Sequence, residues 1–385
     1  MSRVILLDLI APGRTAAALM ENGRLEDLLI DPMPGDTTPV PGEIHSAKID
    51  RLVPKLGAAF VKLGGGAIGF LREAKGRREG ETLCVQVVSY PEPGKASPVS
   101  ARVLHKGRYV IHTPDAPGIN VSRQIRDEAE RARLAAIGDR ALADARAALP
   151  TDRTAALSHS GLILRSAAEG AAAGAIEAEA RSVLSAHLAI LDDPEASRRP
   201  TVLARVAAAG TALRDWTDPL PARIWHAGAL GGGDLDGLDP ELADRCRPSD
   251  TGDLFDAHGI WEERDRLMHP RAALPADASF TIEPTAALVA VDVNTGGGFQ
   301  GGDALSANLA AARELPRQLR LRGLGGIVTV DFAPLPKKDR RRIEDALKTA
   351  FRRDPVETSL AGWTPSGLFE LQRKRERRPL AELVG

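Results

Sequence analysis

Two apolar runs in the last third of the chain stop on a carboxylate: Ala287–Val291 ends at Asp292, and Ile327–Val330 ends at Asp331. Between them, residues from about Ala304 to Arg322 carry apolar positions at helical spacing and halt at GLGG (323–326). This order predicts strand, helix and strand, a βαβ unit whose strands run parallel. A further helix is predicted over about Lys337–Arg352, followed by GLFELQRKR (367–375).

Toward the N-terminus the period changes. Val4–Ile10 reads as a strand, and Thr15–Leu19 and Leu25–Ile30 flank Asn22-Gly23, a two-residue hairpin signal. DPMPGDTTPVPGE (31–43) marks a boundary. From residue 43 to about 112, short runs (IHSAKIDRLV, GAAFVKL, AIGFL, TLCVQVVSY and a last one through GRYVIH) predict a small barrel or sandwich. Residues 122–149 are alanine-rich with charges at helical spacing and Ser122 as the expected N-cap. SGLILRSA (160–167) is strand-like, and a second alanine-rich helix runs to about Leu191. DDPEASRRP (192–200) is a second boundary, and 201–265 shows no clear period.

Composition narrows the field. The 385 residues predict several domains, and 43% hydrophobic with 27% charged residues is a core-forming balance. A net charge of −1 gives no support to a globally basic nucleic-acid binder, although a local basic face remains compatible. Cys84 and Cys246 lie too far apart for a CxxC pair, so no zinc is expected. The opening MSRVILLDLIAPGR lacks the long apolar core of a signal peptide or membrane span, so a cytoplasmic protein with no membrane association is expected.

The chemistry gathers at the two strand ends. Parallel neighbouring strands lie roughly 4.8 Å apart, so Asp292 and Asp331 can share one hard cation. Asn294 points to the same side as Asp292 because strand side chains alternate. Glycines 296–298 let the backbone approach a bulky ligand.

VAVDVNTG (289–296), NLAAARELPRQLRLRGLGGIVTVDF (308–332) and GLFELQRKR (367–375) closely resemble the catalytic segment of the ribonuclease E/G family of bacterial endoribonucleases. AAFVKLG and GFL resemble that family's inserted OB fold, and VSRQI and GLILRSA its SRRI and RTAG signatures, so the likeness extends over nearly the whole chain. It implies an α/β multidomain fold. Residues 1–38 and 196–265 would form an RNase H-like region, 39–114 an S-one-type OB fold, 115–195 a 5′-sensor region, and 266–385 a DNase I-like catalytic region.

By the same resemblance, Asp292, Asn294 and Asp331 are catalytic, with Asp292 and Asp331 binding Mg2+ (Mn2+ also suits oxygen ligands). The substrate would be single-stranded RNA, cut to 5′-phosphate and 3′-hydroxyl products. Phe60, Phe70 and Lys95 would contact RNA, and Arg165, Ser166, Gly107 and Ile111 would form a pocket for a 5′-monophosphate. A non-catalytic RNA-binding protein on the same scaffold is the alternative.

The chain also departs from the family pattern. It ends before the family's zinc-sharing cysteines, so no zinc-linked tetramer is expected, although a homodimer through the C-terminal domain remains compatible. Pro316 falls inside a predicted helix, where proline costs about 3 kcal/mol unless it kinks or starts the helix. Gln124 replaces the second arginine of SRRI, and RRDPVETSL lacks a base after Arg353. Basic residues at 337–342, 352–353 and 373–378 would cluster on one RNA-facing side.

Overall fold

Strands Arg3–Ala11, Arg14–Glu21 and Arg24–Ile30 form an antiparallel meander. Asn22 and Gly23 turn the second strand into the third with φ of 52° and 77°, the left-handed pair that a two-residue hairpin demands. In this computed structural model, which describes residues 2–228, 230, 235, 238–296 and 301–384, the meander is completed from far along the chain. Arg223–His226 pairs parallel to the first strand, and Cys246–Pro248 pairs parallel to Arg223–His226. Residues on both sides of everything between 31 and 222 therefore share one five-stranded sheet.

The intervening segment holds two units. Ile44–Val53, Ala58–Lys62, Ile68–Leu71, Ser97–Ser100 and Thr82–Val87 form a barrel closed by pairing of the first with the last, consistent with an OB fold. Its interior is aliphatic, including Ile49, Val61, Leu71 and Val85. Two expectations need correcting here. GRYVIH is not a barrel strand: Val110–Thr113 pairs with Gly161–Leu164 in a separate four-stranded sheet. Val110, Leu162 and Leu164 are buried there against Leu134, Ile137 and Leu184 of two helices, a core that the barrel could not supply. The barrel's missing strand is Ser97–Ser100, whose polar and proline composition hid it.

The two helices of this second unit are Glu128–Ala147 and Ala173–Asp192. The first starts later than expected because Asp127, not Ser122, caps it: the Asp127 side chain accepts from Glu130 N at 2.7 Å. Ser122 Oγ instead accepts from Gln124 N in the preceding turn.

The C-terminal sheet has the order Arg271–Ala273, Ser279–Pro284, Val289–Asn294, Gly326–Asp331, Phe369–Arg373 and Thr358–Trp363. Helices Gly301–Leu321 and Arg340–Arg353 cover one face, burying Leu315, Leu319, Ile343 and Leu347 against Val291, Val328 and Val330. The first helix passes through Pro316 without interruption. Leu315 and Leu319, fully buried on either side, hold that turn against the sheet. At its end Gly323, at φ 67°, lets Leu324 N reach Leu319 O at 2.8 Å, and a Cβ there would meet Arg378 O. The unit docks on the meander through Arg317, which donates to Leu25 O at 2.6 Å, and through Arg377, paired with Asp27 at 2.8 Å. Among the described residues, no helix is long and apolar enough to cross a membrane.

Candidate active site and nucleic-acid interface

The βαβ order places the two carboxylates as its geometry requires. Val289–Asn294 and Gly326–Asp331 pair in parallel, and Asp292 and Asp331 are direct register partners. Alternation buries Val291, Val293, Val328 and Val330 on the helix side and exposes Asp292, Asn294 and Asp331 on the open side. Asn294 Nδ2 donates to Asp292 Oδ2 at 2.7 Å, so the amide sets the rotation of that carboxylate. Gly296, at φ 74°, has no room for a Cβ, which would lie 2.6 Å from Asp277 O. Here glycine serves backbone packing, while Gly297 and Gly298 lie outside the described residues.

Asn308 belongs to this site as well. It is fully buried in helix Gly301–Leu321, donates from Nδ2 to Ala333 O at 2.8 Å and accepts from Ala333 N at 2.9 Å. These two bonds pin the chain two residues beyond Asp331. A lone amide in the alanine-rich stretch ANLAAA was the signal available for it.

In the barrel, Phe60 and Phe70 are register partners on adjacent strands, with ring centroids 5.3 Å apart at 62°. Arg51 lies over Phe60 at 4.9 Å. Phe60 and Lys95 line one groove of about 510 Å³ together with Thr37 and Thr38, and Phe70 is not part of its lining. Lys95 pairs with Glu92 at 2.5 Å.

Arg165, Ser166, Gly107 and Ile111 come together in the second unit. Arg165 Nη1 donates to Gly107 O at 2.7 Å, and Ile111 pairs with Ile163 on the strand leading to Arg165. Gly107 abuts Glu179, whose carboxylate would lie 2.5 Å from an added Cβ. Glu179 accepts from the backbone N–H of Arg108, Tyr109 and Val110 at 2.6–2.9 Å and so fixes the turn. Burial raises its pKa, against the pull of those three N–H groups.

Two acidic partners left no trace in the sequence pattern. Arg165 Nη2 donates to Asp215 Oδ1 at 2.9 Å, and Ser166 Oγ to Asp218 Oδ2 at 2.8 Å. Burial works against the charge on Asp215, yet Arg214 and Arg165 hold its carboxyl below the usual range. Ile111, Arg165 and Asp215 line a cleft of about 1900 Å³, as do Arg313 and Arg353, whereas Asp292 and Asp331 lie outside it.

The basic run at 373–378 is largely consumed inside the protein. Arg373 is buried with Asp354 at 3.1 Å, Arg375 donates to Gly325 O, Arg377 pairs with Asp27, and Arg378 pairs with Asp36. A buried pairing of this kind fixes how units dock and leaves little charge for a phosphate. Lys337, Lys338, Arg341, Arg352 and Arg353 do stand exposed.

The three groups of candidate residues thus lie in three units, each internally assembled. Comparison with known proteins gives the same direction. The Ribonuclease E/G family model matches residues 105–376. Ribonuclease G of Salmonella typhimurium (strain SL1344) is 28% identical over 417 residues, covering 98% of this chain and 81% of its own. Ribonuclease E of Nostoc sp. is 28% identical over 385 residues, covering 89% of this chain and 52% of its own. Ribonuclease E of Escherichia coli (strain K12) is 29% identical over 406 residues, covering 95% of this chain and 36% of its own. With the family match spanning well over half its length, the chain belongs to the ribonuclease E/G family.

Proposed function

We propose that this chain is a metal-dependent endoribonuclease that cuts single-stranded RNA in RNA processing or decay, leaving a 5′-phosphate and a 3′-hydroxyl. The observation that carries this reading is the direct register of Asp292 with Asp331 at the exposed ends of parallel strands. Oxygen donors from two carboxylates suit a hard ion that keeps waters and takes phosphate oxygens, so Mg2+ or Mn2+ fits. Asp292 and Asp331 would hold it. Such an ion, when bound, supplies Lewis acidity and a water of lowered pKa for phosphodiester hydrolysis.

The chain's own residues supply positioning. Asn294 keeps the Asp292 carboxylate turned, and Asn308 anchors the backbone just past Asp331. Phe60 offers a base an aromatic face, and Lys95 sits in the same groove for a phosphate. Arg165 and Ser166 offer donors for a 5′-phosphate, in exchange for the carboxylates they now hold. On this reading the split first sheet is the RNase H-like region, the two-helix unit the 5′-sensor and the C-terminal sheet the DNase I-like region.

The test is cleavage of a short AU-rich single-stranded RNA carrying a 5′-monophosphate, with Mg2+, beside Asp292→Asn and Asp331→Asn. Wild type should cut, and both variants should bind RNA without cutting. Binding without cutting by wild type, with either metal and on monophosphate or triphosphate RNA, would replace this reading with a non-catalytic RNA-binding protein.

A further inference from the structure

Three histidines meet inside the two-helix unit, none of them among the residues discussed so far as a ligand for RNA or magnesium. His105 and His112 are register partners on the neighbouring strands His105–Lys106 and Val110–Thr113, so both side chains leave the same face. His187 comes down onto them from helix Ala173–Asp192, on the stripe that also buries Ile176, Ala180, Val183 and Leu184. The three residues are 7%, 0% and 9% exposed. The His105 and His112 rings stack at 5.6 Å, and His187 stands edge-on to both, at 5.1 and 4.9 Å.

We propose that His105, His112 and His187 form a zinc site that fastens this helix to the hairpin carrying Gly107 and Ile111.

Geometry is the first support. One ring nitrogen from each histidine lies within 4.8 Å of the other two. His105 Nε2 and His187 Nδ1 are 3.2 Å apart. Two nitrogens bound tetrahedrally at about 2.0 Å from zinc stand about 3.3 Å from each other, so this edge already has the required length.

An unmet demand is the second. His112 Nδ1 is buried without a hydrogen-bond partner. A buried polar atom without a partner is destabilising, and a core built from plain hydrogen-bonded histidines leaves that cost standing. Its other nitrogen, Nε2, lies 2.9 Å from Ser160 Oγ, and Ser160 is fully buried. With Nε2–H donating to that hydroxyl, Nδ1 keeps a free lone pair, the arrangement by which an outer partner orients a metal-binding imidazole.

Protonation state agrees. Burial pushes His105 down to about 4 and His112 to about 3, and lowers His187 as well, so all three are neutral near pH 7. Neutral imidazole is the form that ligates. Three nitrogen donors without an oxygen suit zinc and not magnesium, and zinc accepts three histidines with a fourth position left over. The expectation of no zinc rested on the missing cysteine pair. This donor set is a different one, assembled from residues 82 positions apart in sequence for its bonded pair.

The position gives the site a role. Gly107 and Ile111 lie between the two strand ligands, so an ion holding His105, His112 and His187 would clamp the turn that lines the Arg165 cleft.

The full chain, purified without chelator, should carry about one zinc ion outside any magnesium site. After stripping, titration with Zn2+ against a chromophoric chelator should restore it and raise the thermal midpoint, and Co2+ should give the absorption bands of a tetrahedral site. His112→Gln and His187→Gln should each weaken binding by more than the roughly 10–100-fold that losing a supporting partner costs. Asp292→Asn should leave zinc binding intact. A folded wild type that takes up no Zn2+ or Co2+ and shows no thermal shift would overturn the proposal, as would zinc uptake equal in wild type and both glutamine variants. Loss of zinc in Asp292→Asn alone would place the ion at the strand ends and also overturn it. If the glutamine variants fail to fold, the wild-type titration and cobalt spectrum decide.

Discussion

The strand ends at Asp292 and Asp331 and the turn at Arg165 are the two places where, on the proposed function, a phosphate meets this protein, and their charges are kept in opposite ways. At the strand ends the carboxylates stand exposed and side by side, and the nearest help is a single amide from Asn294. At the turn, Arg165 and Ser166 each already hold an aspartate. Like charges left together favour a cation arriving from solution. Opposite charges already paired must be separated before an anion can bind, which lowers affinity and makes the exchange selective. One region waits for its ligand, while the other must give up an internal substitute first.

That contrast can be broken from either side. The largest effect should come from Asn308→Ala, which strands the buried N–H and C=O of Ala333 and should cost about 3 kcal/mol of stability by urea unfolding. Cleavage should fall further than the unfolded fraction explains, because the backbone beyond Asp331 loses its anchor. An unchanged rate in the folded fraction would mean that the strand end needs no such support.

Gly107→Ala should follow, at about 2 kcal/mol, since its Cβ displaces a carboxylate that holds three backbone N–H groups. A thermal midpoint equal to wild type would show that Glu179 moves aside freely. Phe60→Ala should weaken single-stranded RNA binding by about 1–3 kcal/mol, read by fluorescence anisotropy, with a smaller change in stability because the ring is only partly buried. Smallest, and most telling for the comparison, is Asp215→Asn. Freed from its partner, Arg165 should raise the preference for 5′-monophosphate over 5′-hydroxyl RNA by a few-fold, on the order of the 0–1 kcal/mol typical of a partly exposed ion pair. A reduced preference would make Asp215 a support for Arg165 and not its competitor.

Legibility in the sequence follows the range of the interactions involved. Asp292, Asn294 and Asp331 were readable because strand alternation and one βαβ crossover are local, and register then brings the carboxylates together. The Asn22-Gly23 hairpin was readable for the same reason. The Asp215 and Asp218 pairings with Arg165 and Ser166 span about fifty residues and leave no periodic trace. GRYVIH has a sound strand pattern, but pattern does not name the sheet, and its partner Gly161–Leu164 lies beyond a helix. The run RKRERR reads as a solvent-facing patch because neither Asp354, Asp27 nor Asp36 lies nearby in sequence.

The split first sheet has a consequence for how the chain comes into being. Its meander is synthesised first, but the strand Arg223–His226 that pairs with it emerges only after the barrel and the two-helix unit have been made. Long-range pairings form slowly because loop closure must come first, whereas the barrel and the two-helix unit each bury a core of their own. Domains tend to fold as units during synthesis. The inserted units should therefore be native while the meander still lacks its parallel neighbour. A chain stalled before residue 223 would display the finished barrel and two-helix unit on a scaffold not yet closed, and the C-terminal sheet, made last, would find its docking partner only once that closure was complete.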